Sequence, residues 1–148
     1  MKERIEMTQQ ITHAISSLVA NSKTVYVSSV DENGYPNTKA MYPTEHGNLK
    51  THYFSTNLSS RRAAQFKVNP KACIYFCGES DIEGVMFIGT VEMFTDAYHK
   101  ELIWSEGDEK YYPKGVTDED YCVFKFTAST GRYFHDTSVA FDIKELLN

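Results

Sequence analysis

Short β-forming runs, each closed by turn residues, recur along this sequence and restrict the folds that it can adopt. The run TVYVSSV (24–30) alternates apolar and polar residues, and the pair Asn33-Gly34 follows it. Asn-Gly readily takes the positive φ angles of a tight hairpin turn, so YPNTKAMYPT (35–44) is expected to return antiparallel to the first strand. Because its two prolines cannot donate ladder hydrogen bonds, this return strand is predicted at an edge or a bulge of the sheet.

The remaining helices and strands follow from periodicity and from turn residues. Apolar residues between Ile11 and Val19 recur at helical spacing, which predicts a first helix over 8–20. A long β-forming run at 85–95 is expected to bend at Gly89. The further strands are predicted at 49–56, 71–78, 121–128 and 131–136, the further helices at 61–68 and 96–107, and a tyrosine-rich loop at 108–120.

This order of elements favours a mainly β fold. About seven strands follow one another in hairpins with two or three peripheral helices, and few intervals fit the β-helix-β alternation of a parallel sheet. A closed or partly closed antiparallel β-barrel leaves the fewest strand edges exposed, so it is the predicted architecture. The chain of 148 residues shows no repeat and no linker, and a single domain over 1–148 is expected.

Composition excludes several classes of protein. The net charge of −5 argues against a general binder of nucleic acid or of anionic membranes. No apolar run reaches the roughly 18–20 residues that span a bilayer, and the N-terminus lacks a secretory signal, so a cytoplasmic protein is expected. Three cysteines are expected to be free thiols, the histidines lack metal-binding spacing, and the acidic runs 79–84 and 117–121 are interpreted as solvated turns.

Two adjacent arginines, Arg61 and Arg62, open the predicted helix 61–68, where the helix dipole disfavours each exposed cation by roughly 0.3–1 kcal/mol. Solvated surface residues are the simplest interpretation. A bound anion is the alternative, because the first turn of a helix offers free N–H groups and a dianionic phosphate would pair with both guanidinium groups. Lys39 on the predicted hairpin would add a third cation. Polar donors precede the helix at Ser55, Thr56, Asn57, Ser59 and Ser60, and one of the two adjacent serines is expected to cap it.

Three segments of the chain resemble the pyridoxamine 5′-phosphate oxidase-like flavoproteins. FSTNLSSRRAAQFKVNPKACIYF is similar to the strand, Thr-Asn, Ser-Arg-Lys, helix, Asn-Pro, strand succession of that family. GVMFIGTVEMF resembles the following strand with its Val/Ile-Gly-x-(Val/Ala)-Glu pattern, and VSSVDENGYPNTKAM resembles the opening hairpin. The match covers about residues 15–128, and the Asp-x-x-Tyr-x-Val lead into residue 121 is most similar to the general-stress-protein branch.

The resemblance implies an antiparallel split β-barrel that binds FMN, as a homodimer with two flavins at the subunit interface. It also implies three groups of cofactor-binding residues: one along the isoalloxazine ring and ribityl chain, one at the ribityl-phosphate end, and one on the phosphate. In that order they are Lys39, Ala40 and Met41; Ser55 and Thr56; and Arg61 and Arg62. No catalytic acid–base pair emerges, which suits a cofactor that carries the chemistry itself.

Departures from the family pattern leave the function open. Thr44 stands where the family has a lysine, and Gly84 where the true oxidases have a glutamine. The C-terminal extension with the Arg-x-His pair that grips the vitamin phosphate is also missing, so genuine pyridoxamine 5′-phosphate oxidase activity is not expected. Three functions remain: an FMN-dependent oxidoreductase with an unidentified small-molecule substrate, a flavin-binding or sensing protein without catalysis, and a barrel that has lost FMN and binds another phosphorylated ligand.

Aromatic residues of the second half also have two interpretations. Trp104 is expected to cover the barrel, with stacking near a flavin or at an interface as the alternative. Tyr111, Tyr112 and Tyr121 could cap the open face of the flavin or pack the loop onto the barrel, and His135 could line a pocket or lie at the surface.

Overall fold

The computed structural model describes residues 7–79 and 82–147, and within them the chain forms seven β-strands and three α-helices. The expectations for the N-terminal residues 1–6 and for residues 80–81 of the acidic run fall outside the described residues. The strands are β1 (Val25–Val30), β2 (Pro36–Met41), β3 (Thr51–Asn57), β4 (Lys71–Cys77), β5 (Glu83–Phe94), β6 (Tyr121–His135) and β7 (Thr137–Asp142). The helices are α1 (Gln9–Asn21), α2 (Arg61–Val68) and α3 (Ala97–Ile103), with 3₁₀ turns at Asp108–Lys110, Gly115–Thr117 and Ile143–Leu146.

All seven strands form one antiparallel sheet in the order β2-β1-β4-β5-β6-β3, with β7 paired to the second half of β6. The strands at the two ends of this path, β2 and β3, do not pair with each other in the described part of the chain. The sheet therefore remains open along a seam between them, and the predicted partly closed antiparallel barrel is confirmed. Pro36 begins β2, which pairs with β1 alone, so its predicted place at a sheet edge is also confirmed.

Strands β5 and β6 change register against each other at Ile88 and Gly89. A Cβ atom at residue 89 would lie 1.9 Å from the Thr127 carbonyl oxygen, so the close approach of the two backbones requires glycine there. Such irregularities bend a strand and increase its twist. At Gly89, where a bend was predicted, the structure has a shift in strand register.

The prediction for the chain after residue 95 was wrong in three places. Instead of separate strands at 121–128 and 131–136, the chain forms one continuous β6, because pairing with β5, and from Thr130 onward also with β7, keeps it extended. Strand β7 was missed, since the turn before it depends on Asp136, a non-glycine residue with a φ of +65°. The helix predicted over 96–107 ends at Ile103.

The inner face of the sheet encloses an apolar core, which we call the inner core. Helix α1 contributes Ile15 and Leu18 to it, and α2 contributes Ala63 and Phe66. Large side chains of the strands fill the centre, namely Phe54, Ile74, Phe76, Phe87, Phe124 and Phe126. No helix in the described part of the chain has the length and hydropathy needed to cross a bilayer.

A second cluster, which we call the outer cluster, lies where β3 and β6 meet α3 and the loop that follows it. It contains Trp104, Tyr112 and Tyr121, with the rings of the two tyrosines stacked at 4.6 Å between centroids. The Tyr121 hydroxyl donates to the Lys100 carbonyl at 2.7 Å, and Lys100 Nζ donates to the Asp118 carbonyl at 2.9 Å. These two bonds fix the tyrosine-rich loop against α3.

Candidate functional site at the barrel seam

The residues predicted to hold a cofactor gather around the seam. Strand β2 carries residues 39–41, β3 carries residues 55 and 56, and α2 begins after a three-residue turn with the arginine pair. The Ser60 hydroxyl accepts the Ala63 N–H at 3.2 Å, so the predicted serine cap is confirmed at Ser60. The site is therefore built on a strand-to-helix junction.

Arg62 lies half-buried at this junction. Its Nη2 donates to the Thr56 hydroxyl at 3.1 Å, whereas its Nε is buried without a hydrogen-bond acceptor. Burial lowers the pKa of the Arg62 guanidinium, and the nearby Tyr112 and Cys122 oppose that shift electrostatically. Arginine nonetheless remains protonated, so a cation with an unused donor is held beside Thr56. Among the described residues, no carboxylate comes within 4.0 Å of it.

Arg61 takes a different position, although it adjoins Arg62 in sequence. Its side chain is exposed and lines a cavity of about 830 Å³ between α2 and the β1–β2 turn, together with Asp31 and Asn37. Consecutive helix residues point in different directions, which accounts for the separation. The two arginines thus flank the start of α2 from two sides instead of sharing one contact.

Ser55 and Thr56 lie on opposite faces of β3. Thr56 is buried on the inner side with Arg62, whereas Ser55 lies on the outer side close to the Tyr112 hydroxyl. Burial raises the pKa of Tyr112 to about 12, so its hydroxyl stays neutral and can donate. Ser55 also lines a cavity of about 580 Å³, whose lining includes Tyr42 and Tyr111.

The predicted cofactor-binding residues of β2 also lie on opposite faces of their strand. Lys39 pairs with Val27 and Met41 with Val25, so both point to the inner side, and Met41 packs against the inner core. Ala40 points to the opposite side and is exposed. Lys39 is exposed too, and no ion pair to it occurs among residues 7–79 and 82–147.

The two departures from the family pattern have structural causes. The Thr44 hydroxyl donates to the Tyr53 carbonyl at 3.0 Å and so ties the chain after β2 to β3 across the seam. At Gly84, an added Cβ would lie 2.0 Å from the Tyr75 hydroxyl. The tyrosine therefore occupies the space that a larger side chain at residue 84 would need.

Sequence reasoning missed the role of the acidic run 117–121. Asp118 is buried, and its carboxylate accepts the N–H groups of Lys114 at 3.0 Å and Asp120 at 2.9 Å. The Asp120 carboxylate accepts bonds from the turn before α2, at Asn57 and Ser59. Two aspartates one residue apart before a strand are typical of a side-chain-stabilised turn, and that signal was available.

The aromatic residues of the tyrosine-rich loop separate into two groups. Trp104, Tyr112 and Tyr121 pack in the outer cluster, so the packing interpretation holds for them. Tyr111 is exposed and lies 6.5 Å from Tyr42 between ring centroids, at the mouth of the 580 Å³ cavity. His135 is exposed on β6.

The described residues contain no group of three or more histidine, cysteine or acidic side chains that could hold a metal ion. The three cysteines are free thiols, and burial raises the pKa of Cys122 to about 11. A thiol of that pKa is protonated at neutral pH and lacks nucleophilic character.

The fold and the site together define a class of protein: an open antiparallel split barrel with a cationic strand-to-helix junction at its seam. The model of the pyridoxamine 5′-phosphate oxidase family matches residues 11–135, and the chain belongs to this family. The resemblance seen in the sequence is thereby confirmed. Among curated proteins, none matches the chain significantly.

Solved structures agree with this membership. A Clostridium acetobutylicum protein related to general stress protein 26 of B. subtilis is 39% identical with a TM-score of 0.87, over 95% of this chain and 99% of that chain. General stress protein 26 of Bacillus anthracis is 17% identical with a TM-score of 0.75, over 90% of this chain and 100% of that one. A heme-binding protein of Mycobacterium smegmatis is 13% identical with a TM-score of 0.74, over 96% of this chain and 61% of that one. The last two share the fold alone.

Proposed function

We propose that this protein is a cytoplasmic flavoprotein that binds FMN, forms a homodimer and acts as an oxidoreductase on a small molecule. The observation that carries the proposal is Arg62, a half-buried cation with one buried N–H group that lacks an acceptor. A terminal phosphate supplies both the acceptor and the compensating charge. Arginine forms short, charge-assisted bonds to phosphate, which are stronger than bonds between neutral groups.

The residues around Arg62 suit a phosphorylated flavin. Thr56 already orients one arm of the guanidinium, and α2 presents its first N–H groups at the same junction. Arg61, which opens the same helix, and Lys39 on β2 are exposed cations that add positive potential for an anionic ligand. When bound, FMN supplies hydride and electron transfer, and the protein binds and orients it.

The cavity beside Ser55 lies on the opposite face of β3 from Thr56 and Arg62, and the rest of such a ligand would reach it around the edge of β3 that does not pair with β6. Its wall combines exposed aromatic rings, Tyr42 and Tyr111, with the Ser55 hydroxyl. Aromatic faces pack against a planar ring and exclude water from it, while the hydroxyl can bond a polar chain. These residues supply binding and shielding, and none of them forms an acid–base pair.

The proposed dimer draws support from the outer face of the sheet. Tyr26 pairs with Tyr75, and Tyr75 with Met86, so these side chains share that face, which also carries Ile88 and Phe134. Tyr26, Tyr75, Ile88 and Phe134 are between 36% and 42% exposed. Several half-exposed apolar side chains on one face, with Arg132 among them, mark an interaction surface, and a second copy of the chain would cover it. Light scattering is expected to give twice the chain mass of 16.9 kDa, and a mass of one chain would overturn the dimer.

Flavin titration tests the cofactor. FMN is expected to bind more tightly than riboflavin, which has the same ring but no phosphate. Arg62→Ala should weaken FMN binding by about 1.5–3 kcal/mol, the contribution of a hydrogen bond to a charged group, and leave riboflavin binding unchanged. Arg61→Ala should have a smaller effect because that side chain is exposed. Lys23→Ala, which removes an exposed cation in the α1–β1 connection, is the matched control.

Equal affinity for FMN and riboflavin in the wild-type protein would contradict the proposal. If the protein does not bind FMN but binds haem, seen by the haem absorption band, the cofactor would be haem instead of FMN. Reduction of the FMN-loaded protein by NAD(P)H, followed by reoxidation with candidate acceptors, distinguishes an oxidoreductase from a flavin-binding sensor.

A further inference from the structure

Asp120, which lies directly before β6, bonds three consecutive residues where β3 passes into the turn that opens the site. Its carboxylate accepts Asn57 Nδ2 at 2.9 Å, the Ser59 N–H at 2.8 Å and the Ser59 hydroxyl at 2.9 Å. Its backbone carbonyl accepts the Leu58 N–H at 2.6 Å. A single residue thus binds three consecutive residues that are about sixty positions away in sequence.

We propose that Asp120 is the positioning residue of the phosphate site: it sets the distance between Thr56 and Arg62 by clamping the turn that joins them. This inference rests on the proposed function, because it assigns a residue to the same FMN site. Thr56 is the residue before the clamped turn, and Arg62 lies in the first turn of α2 after it. The bond between Thr56 and Arg62 therefore closes a short loop whose middle Asp120 holds.

The support for Asp120 continues into the body of the protein. Its own N–H donates to Asp118 Oδ1 at 2.9 Å, and the Asp118 carbonyl accepts Lys100 Nζ at 2.9 Å. Lys100 lies on α3 and is buried. Asp120 is therefore bonded through Asp118 to helix α3, so the turn before α2 is connected to a helix and not only to another loop.

The chemistry of the clamp requires a carboxylate. Every group that faces the two Asp120 oxygens is a donor: an amide NH₂, a backbone N–H and a hydroxyl. Those donors lower the pKa of Asp120, with the Asn57 bond as the largest cause, so the acceptor form persists at neutral pH. An asparagine at 120 would keep one oxygen but turn an NH₂ group toward another donor.

The test compares FMN with riboflavin in the full chain. Asp120→Ala is expected to weaken FMN binding about tenfold, the lower end of what loss of an orienting partner costs in metal sites, and to leave riboflavin binding unchanged. Asp120→Asn should fall between wild type and Asp120→Ala. In an Arg62→Ala background, Asp120→Ala should cost little more, because Asp120 acts through that arginine.

Two further variants keep the test decisive. Ser59→Ala removes the hydroxyl that donates to Asp120 and should cause a smaller loss of FMN affinity. This variant replaces Asp120→Ala in the test if Asp120→Ala does not fold. Asp142→Ala removes an aspartate that caps the last 3₁₀ turn through a similar bond, to the Lys144 N–H at 2.9 Å, and should leave FMN binding unchanged.

Three results would overturn the inference while the proposed function stands: an unchanged ratio of FMN to riboflavin affinity in Asp120→Ala, equal loss of both ligands, or full additivity with Arg62→Ala. A wild-type protein without preference for FMN over riboflavin would instead overturn the proposed function, and the inference with it.

Discussion

The inner core and the outer cluster are both rich in aromatic side chains, but they differ in polarity. The inner core consists mainly of phenylalanine and aliphatic residues, which need only area and shape to pack. The outer cluster contains tyrosine and tryptophan, whose polar ends must find partners when they are buried. The Tyr121 hydroxyl donates to the Lys100 carbonyl, and the Tyr112 hydroxyl lies close to Ser55.

This difference shows which side chains are held in a single orientation by directional bonds. A phenylalanine in the inner core can turn or shift slightly without breaking a directional bond. A tyrosine in the outer cluster is fixed at both ends, by its ring stack and by its hydroxyl. The outer cluster therefore holds the tyrosine-rich loop, and with it Asp118 and Asp120, in one orientation beside the candidate site.

His52 is a polar residue in the otherwise apolar inner core, and it gives the larger predicted effect on stability. Its ring lies 5.3 Å from that of Phe87 and 5.6 Å from that of Phe76, and its Nε2–H donates to the Leu49 carbonyl at 2.9 Å. Burial lowers the pKa of His52 from 6.5 to about 4. The unfolded chain therefore binds a proton at His52 at a higher pH than the folded protein does. The contribution of His52 to the free energy of unfolding is full above pH 6.5 and decreases by about 3 kcal/mol as the pH falls from 6.5 to about 4.

Urea denaturation between pH 4 and pH 7.5 measures this slope. His52→Phe keeps an aromatic ring in the same enclosure, so its stability should vary far less in that range. His46→Gln, a change at an exposed histidine, should retain the wild-type slope. If His52→Phe keeps the full slope as well, the inner core is not the source of the acid sensitivity.

Local chemistry explains which parts of the fold were predictable. The first hairpin was predicted from Asn33-Gly34, although of these two only Gly34 takes a positive φ and the Asp31 carboxylate also holds the turn. The irregularity at Gly89 was predicted from one residue in a long strand. Both features depend on neighbours in sequence. Strand β7 was missed because its turn uses an aspartate in the left-handed conformation. Strand β6 was divided because pairing with β5 and, from Thr130 onward, with β7 is what keeps its middle extended. Such long-range pairing leaves little trace in one strand's composition.

The same distinction applies to the candidate site. The residue types at the start of α2 indicated an anion, but the sequence could not show that Arg61 lines the cavity beside the β1–β2 turn while Arg62 turns to Thr56, since the packing of the helix decides that. The bonds from Asp120 to Asn57 and Ser59 join loops that are far apart in sequence, and no pattern within one loop predicts its partner in another.

Tyr112→Phe gives the smallest predicted effect and tests the outer cluster directly. The stack on Tyr121, with 26° between the ring planes, should survive because the ring remains. Only the hydroxyl beside Ser55 is lost, so urea denaturation should show a loss of about 1 kcal/mol, as for a single hydrogen bond between neutral groups. Tyr112→Ala, which also removes the stack, should cost clearly more. If both variants lose the same stability, the hydroxyl and not the ring holds the loop, and the ring stack adds nothing to the orientation that the outer cluster imposes on the site.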